Sequence, residues 1–101
     1  MKDKIINLLG LIRRANKMVM GETILEYFQK GKIHFLFIAT DASDKTKERY
    51  LKKCDYYNIS YDMSLSSDEL AQAIGRNNVK TIGVTDEGFA QSLLKLGRGK
   101  N

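Results

Sequence analysis

Apolar residues recur along this chain at two different periods, and the switches between them mark its elements. Ile5, Leu8, Leu9 and Ile12 fall at helical spacing, with Asp3 placed to cap the start of that helix. Lys17 to Met20 reads as a short extended piece leading to Gly21. Glu22 to Gln29 is helical, burying Ile24, Leu25 and Phe28, and it stops at Lys30-Gly31. Ile33 to Ala39 is nearly all apolar and does not alternate, which predicts a strand covered on both faces. Thr40 to Asp44 makes a polar turn in which Ser43 or Asp44 can cap the next helix. That helix carries Tyr50, Cys54 and Tyr57 on one face, with Leu51 beside them. Ile59 to Met63 is short and alternating, as suits a strand near a sheet edge. Ser66 and Glu69 fit a capping box before a helix burying Leu70, Ala73 and Ile74. Thr81 to Thr85 reads as a second core strand, after which Asp86 caps a last helix built on Phe89, Ala90, Leu93 and Leu94. Strands separated by helical segments of this length imply right-handed crossovers and a mostly parallel or mixed sheet. The expected fold is α/β, a three-layer α/β/α sandwich of about four strands.

Composition narrows the picture without changing it. The chain has 101 residues, no proline and no Ser- or Gly-rich linker, so residues 1–101 are read as a single domain. Hydrophobic residues at 43% and charged residues at 29% exclude a disordered, collagen-like or membrane-spanning chain. The run from Ile33 to Ala39 is far short of the roughly 18 residues a membrane helix needs. Lys2 and Lys4 lead into no unbroken apolar stretch with a cleavage site. One cysteine, Cys54, can form neither an internal disulfide nor a zinc site alone. A reducing, cytoplasmic location is expected, with no membrane partner.

Charge adds a direction. Seventeen Lys and Arg against twelve Asp and Glu give a net charge of +5. From Met1 to His34 seven basic residues face three acidic ones, and Gly88 to Asn101 adds Lys95, Arg98 and Lys100 with no acid. Tyr57 to Glu87 is acidic, with two basic residues against five. A basic face assembled from both ends of the chain would suit a phosphate backbone, whereas uneven patches on a solvated surface would need no partner.

Catalytic chemistry finds little support. His34 interrupts the most apolar strand, where a structural role suits it better than base catalysis. Cys54 lies on a packed face, where a thiol behaves as a small hydrophobe. Ser64, Ser66 and Ser67 cluster without a nucleophile elbow or an evident base. Asp41, Asp44, Asp86 and Glu87 follow the core strands, where a divalent metal could be held, but each also sits where a helix cap belongs. Gly21, Gly75 and Gly83 make no phosphate-loop pattern. No enzyme, cofactor or metal is expected.

Two loop-to-helix junctions are better candidates. Gly21-Glu22-Thr23 opens a helix with backbone N–H groups and a glycine that admits close approach. Ser64-Leu65-Ser66-Ser67 places a lone apolar residue between hydroxyls, so Leu65 could meet an unstacked base while the serines bond phosphate or sugar. A plain helix stop-start, and a capping box with one core leucine, explain the same residues structurally.

From Ile59 to Gly75 the chain resembles the signature of the kink-turn RNA-binding ribosomal protein family, roughly V-P-Y-x-x-V-x-S-K-x-E-L-G-x-A-x-G. The spacing fits without a gap, and Tyr61, Ser66, Glu69, Leu70, Ala73 and Gly75 agree in type. Ala39 and Asp41 match the family's strand ending, and likeness extends through Leu9-Gly10-Leu11 and from Val84 to Ala90. It is most like the family's small bacterial members. The resemblance implies an α/β/α sandwich that binds kink-turns, sharply bent duplexes built on tandem G·A pairs. The family's G-x-N-E-x-x-K element falls on Met20 to Glu26, with Glu22 and Thr23 at N-E, Glu26 at Lys, and Gly21 one position late. In the second loop Ser64 stands for Val and Ser67 for Lys. These departures imply weaker or altered recognition. The candidate RNA-contacting residues are Met20, Gly21, Glu22, Thr23, Asp41, Ser64, Leu65, Ser66 and Ser67, in a positive field from Lys17, Lys30, Lys32 and Arg76.

The first expectation is therefore a non-enzymatic protein binding structured RNA, ribosomal RNA foremost, with the ribosome itself as a further partner. The alternative is a ribosome-associated protein-interaction module that has lost kink-turn recognition. A third, enzymatic reading would need Asp41 and Asp86 to converge on a metal or substrate.

Overall fold

The computed structural model describes residues 2–97; the expectations touching Met1, Arg98 and Lys100 lie outside them. The chain runs α1 (Lys2–Arg14), β1 (Met18–Met20), α2 (Thr23–Gln29), β2 (Phe35–Ile38), α3 (Asp44–Tyr57), β3 (Tyr61–Asp62), α4 (Ser67–Ile74), β4 (Thr81–Val84) and α5 (Glu87–Lys95). The helix starts follow local chemistry. The Ser43 hydroxyl accepts from Thr46 N, and an Asp86 carboxylate oxygen accepts from Phe89 N. At α4, Ser66 Oγ accepts from Glu69 N at 3.1 Å while Glu69 Oε1 accepts from Ser66 N at 2.9 Å, a complete capping box. Asn58 and Gly75 end α3 and α4 in the left-handed conformation.

The sheet order is β1-β4-β2-β3. Only β2 and β3 run parallel; β4 lies antiparallel to both neighbours, so the sheet is mixed. Register sorts its two faces. Met18, Met20, Phe35, Phe37, Ile82 and Val84 share one face, and Val19, Leu36, Ile38, Thr81 and Gly83 the other. On the second face, a Cβ at Gly83 would stand 2.8 Å from Ile33 Cδ1 and 3.4 Å from Ile24 of α2. The missing side chain is what lets α2 lie this close. Phe28 of α2 stacks on Tyr57 of α3 at 5.5 Å, which puts both helices in that layer. The first face is equally buried and is covered by the remaining helices, with α1 packed along α4. The three-layer sandwich is thus helix, mixed sheet, helix. Among the described residues no helix is long and apolar enough to cross a membrane.

The register also fixes which loops meet. Met20 pairs with Ile82, Ile38 with Thr81 and Phe37 with Asp62, so the ends of β1, β2 and β3 gather with the start of β4. At the opposite end, Lys17 O accepts from Thr85 N, and His34 N donates to Val84 O.

Candidate nucleic-acid interface

Most of the candidate residues converge at the first of these ends. Gly21 leaves β1 there with φ +66° and open space above its Cα. Its carbonyl accepts from the buried Tyr50 hydroxyl at 3.3 Å, which ties the start of α2 to α3. Burial raises the Tyr50 phenol above its ordinary range, with the hydroxyl's bond to Thr81 opposing, so it stays a neutral donor. The expected row of open N–H groups is reduced, however. Ile24 N donates to Gly21 O and Leu25 N to Glu22 O, so α2 closes its own first turn.

The second loop is braced from the first core strand. Asp41 accepts from Ser67 N at 2.8 Å and from Ser67 Oγ at 2.6 Å, and Thr40 N donates to Leu65 O. The Ser67 hydroxyl and then its backbone N–H hold the Asp41 carboxyl below its ordinary range, against a smaller opposing effect of desolvation. Asp41 therefore works as a clamp on the loop. Ser64 is similarly occupied, donating to Asp62 at 2.8 Å. Leu65 corrects the sequence reading: it is 1% exposed and belongs to the core, where no base can reach it. Ser67 is nearly covered as well, its hydroxyl spent on Asp41. Leu65 is thus the single core leucine of the structural alternative.

Between α2, α3 and the α4–β4 loop lies a groove of about 410 Å³, lined by Met20, Gly21, Glu22, Thr46, Arg49, Tyr50 and the segment from Arg76 to Thr81. Of the expected cations, Arg76 lines it. Arg49, Asn77, Asn78 and Lys80 were not legible as site residues, because only the strand order brings them beside Gly21. The groove carries Arg49, Arg76 and Lys80 against Glu22, whose carboxylate sits 3.4 Å from Arg49. Glu22 is therefore turned to a cation, and the pair is exposed and weak. Lys80 also stands 3.9 Å from Asp41.

Lys17 and Lys30 are not part of this assembly. Both lie at the opposite end of the sheet, beyond the length of a four-residue strand, about 10 Å. There Lys30 and Lys32 each sit 5.9 Å from the Tyr27 ring. Chain segments with positive charge need not form one face.

Of the carboxylates weighed as metal ligands, Asp41 grips Ser67 and Asp86 caps α5. Among the described residues no three His, Cys, Asp or Glu side chains gather as a metal site requires. Burial pushes the Cys54 thiol up to about 12, so it is protonated and inert at neutral pH.

Comparison with known proteins bears on the whole chain. Residues 3–94 match the model of the ribosomal protein L7Ae/L30e/S12e/Gadd45 family. The chain is 34% identical over 99 residues to the RNA-binding protein YlxQ of Enterococcus faecium, covering 97% of this chain and 95% of that one. It is also 34% identical over 90 residues to the YlxQ protein of Bacillus subtilis (strain 168), covering 88% and 90%. A solved structure of a Bacillus halodurans protein of unknown function superimposes with a TM-score of 0.86 at 34% identity, covering 90% and 93%. A 15.5 kD RNA-binding protein of Giardia lamblia shares the fold, with a TM-score of 0.77 at 17% identity over 91% and 82%. The chain belongs to the ribosomal protein L7Ae/L30e/S12e/Gadd45 family.

Proposed function

We propose that this protein binds structured RNA containing a kink-turn, with ribosomal RNA as the first target, in the cytoplasm and without catalysis. The observation that carries the reading is the groove beside Gly21. Three cations edge it, and a clamped loop and the glycine turn before α2 stand next to it. A bent duplex presents phosphates of both strands to such a recess, and the cations neutralise them with release of counterions. Arg76 and Lys80 would position the backbone, while Asn77 and Asn78 offer donors and acceptors to exposed base edges. The names of the YlxQ relatives support RNA as the partner.

A second reading draws on other residues at the same site. Glu22 faces Arg49, Glu26 stands exposed where the family pattern has lysine, and Leu65 is buried. These features favour a ribosome-associated protein-interaction module that kept the fold and lost kink-turn recognition. Titrating the protein against a kink-turn RNA and an unbent duplex of equal length, at two salt concentrations, separates the two. Preference for the kink-turn that survives the higher salt is the expected result. Equal, salt-sensitive binding to both RNAs would leave the second reading standing.

A further inference from the structure

Helix α3 carries an exposed row that shares only Arg49 with the groove and nothing with the clamp. Lys45, Arg49, Lys52 and Tyr56 follow at intervals of four, three and four residues, which at 3.6 residues per turn sets them within about 60° of arc. The buried Tyr50 and Cys54 lie on the other side of the helix, so the row faces solvent. Tyr56 is 78% exposed, an unusual position for a large aromatic ring. Its ring stands perpendicular to that of Tyr57 with centroids 4.8 Å apart, and Tyr57 is stacked on Phe28, so Tyr56 is anchored on one side. The row spans about 16 Å of helix. It begins beside the groove, since Arg49 lines the groove as well as the row.

Charge along the row is positive in balance. Lys45 has no ion-pair partner among the described residues, while Lys52 pairs with Glu48 at 3.2 Å and Arg49 with Glu22 at 3.4 Å. Both pairs are exposed and screened by salt, so approaching phosphates can displace the carboxylates. Asp44 and Asp55 stand about a quarter turn aside. Cations in line with an open aromatic ring combine an electrostatic track with a stacking platform, the arrangement that holds a nucleic-acid strand without reading its sequence. An acidic protein surface could use the cations and the ring as well, but the row begins beside the groove and continues it, which favours the RNA of the groove as the occupant.

We infer that the Lys45–Arg49–Lys52–Tyr56 row of α3 is a second RNA contact, holding the backbone of a segment that continues out of the groove and stacking one of its bases on Tyr56. The inference rests on the RNA-binding reading of the groove. The test uses the full chain and two kink-turn RNAs, one with a long single-stranded flanking arm and one with that arm cut back, plus an unbent duplex carrying the same single-stranded arm. Lys45→Glu with Lys52→Glu is expected to weaken binding of the long-arm RNA about tenfold or more, and to lower the salt slope by about 0.7 per lost phosphate contact on the single strand. Tyr56→Ala is expected to weaken the same complex about tenfold with the slope unchanged. Neither change should move the short-arm RNA, whereas Arg76→Ala should weaken both. All these side chains are exposed, and matching melting curves confirm that folding is intact.

Unchanged affinity of the α3 variants for every RNA would overturn the inference and leave the row to a protein partner. If the wild-type protein binds kink-turn and duplex equally, the kink-turn reading falls. The α3 row then stands or falls by whether its variants weaken the duplex complex. Binding to none of the RNAs would overturn both.

Discussion

Gly21 is the residue on which the site's geometry turns. At φ +66° a β-branched residue is strained by about 1–2 kcal/mol, whereas asparagine tolerates the left-handed region. Nothing within 4 Å would meet an added Cβ, so the cost is in the backbone alone. Gly21→Val is expected to lower stability by that amount in chemical denaturation. Gly21→Asn should remain near wild type yet lose RNA affinity, since its side chain would enter the groove. Normal RNA binding by the Gly21→Asn protein would place the RNA elsewhere. Asp41 makes a second prediction, from titration. Its folded carboxyl is held below the ordinary value of 3.8 by Ser67. As pH falls through that value the unfolded chain takes up the proton first, so stability is present above it and is lost as pH drops through the folded value. The difference in denaturation midpoint between wild type and Asp41→Asn should therefore be full at pH 7 and shrink at pH 3. A difference independent of pH would show that the charge does not hold the clamp.

Among elements, α4 shows how a local code positions the loop that precedes it. Its capping box closes the chain after Ser64-Leu65, and Glu69 also meets Lys2 at 3.2 Å. Ser66→Ala is expected to cost about 1 kcal/mol, because one helix N–H loses its acceptor. Glu69→Gln keeps both arms of the box and removes only an exposed ion pair, so it should melt close to wild type. Thermal melts of the two variants check the contrast, and equal losses would mean that the Glu69 charge matters as much as the Ser66 cap. This code was legible from Ser66 and Glu69 alone, as was the cap at Asp86, because each needs only residues three apart, whereas the α3 cap was narrowed only to Ser43 or Asp44. Leu65 was open in the sequence for the opposite reason. A single apolar residue between serines has no period, and only the packed tertiary structure decides that it turns inward. The pairing of Glu22 with Arg49 likewise joins residues from separate helices that no local pattern links.

At the scale of the whole molecule, the sheet decides which charges can act together. The apolar runs predicted the strands, but not that β4 inserts between β1 and β2 and opposes both. That choice depends on pairing between residues far apart in the chain. It sends Lys17 and Lys30 to one end and brings Arg76 and Lys80 to the other. Of the cations expected to share one face, Lys17 and Lys30 therefore lie apart from Arg76, which stands with Lys80 and Arg49 of α3. The consequence is measurable, since each phosphate neutralised by the bound protein contributes about 0.9 to the slope of log affinity against log salt. Arg76→Ala should lower the slope by about that amount and weaken kink-turn binding at every salt concentration. Lys17→Ala with Lys30→Ala should leave slope and affinity for a short kink-turn nearly unchanged, although it removes twice the charge. Net charge is a long-range effect, and at about 0.15 M salt screening confines it to roughly 8 Å, less than the separation of the two ends. A slope that fell more for the double variant than for Arg76→Ala would mean that the RNA wraps the far end of the sheet. The groove would then be only part of the footprint.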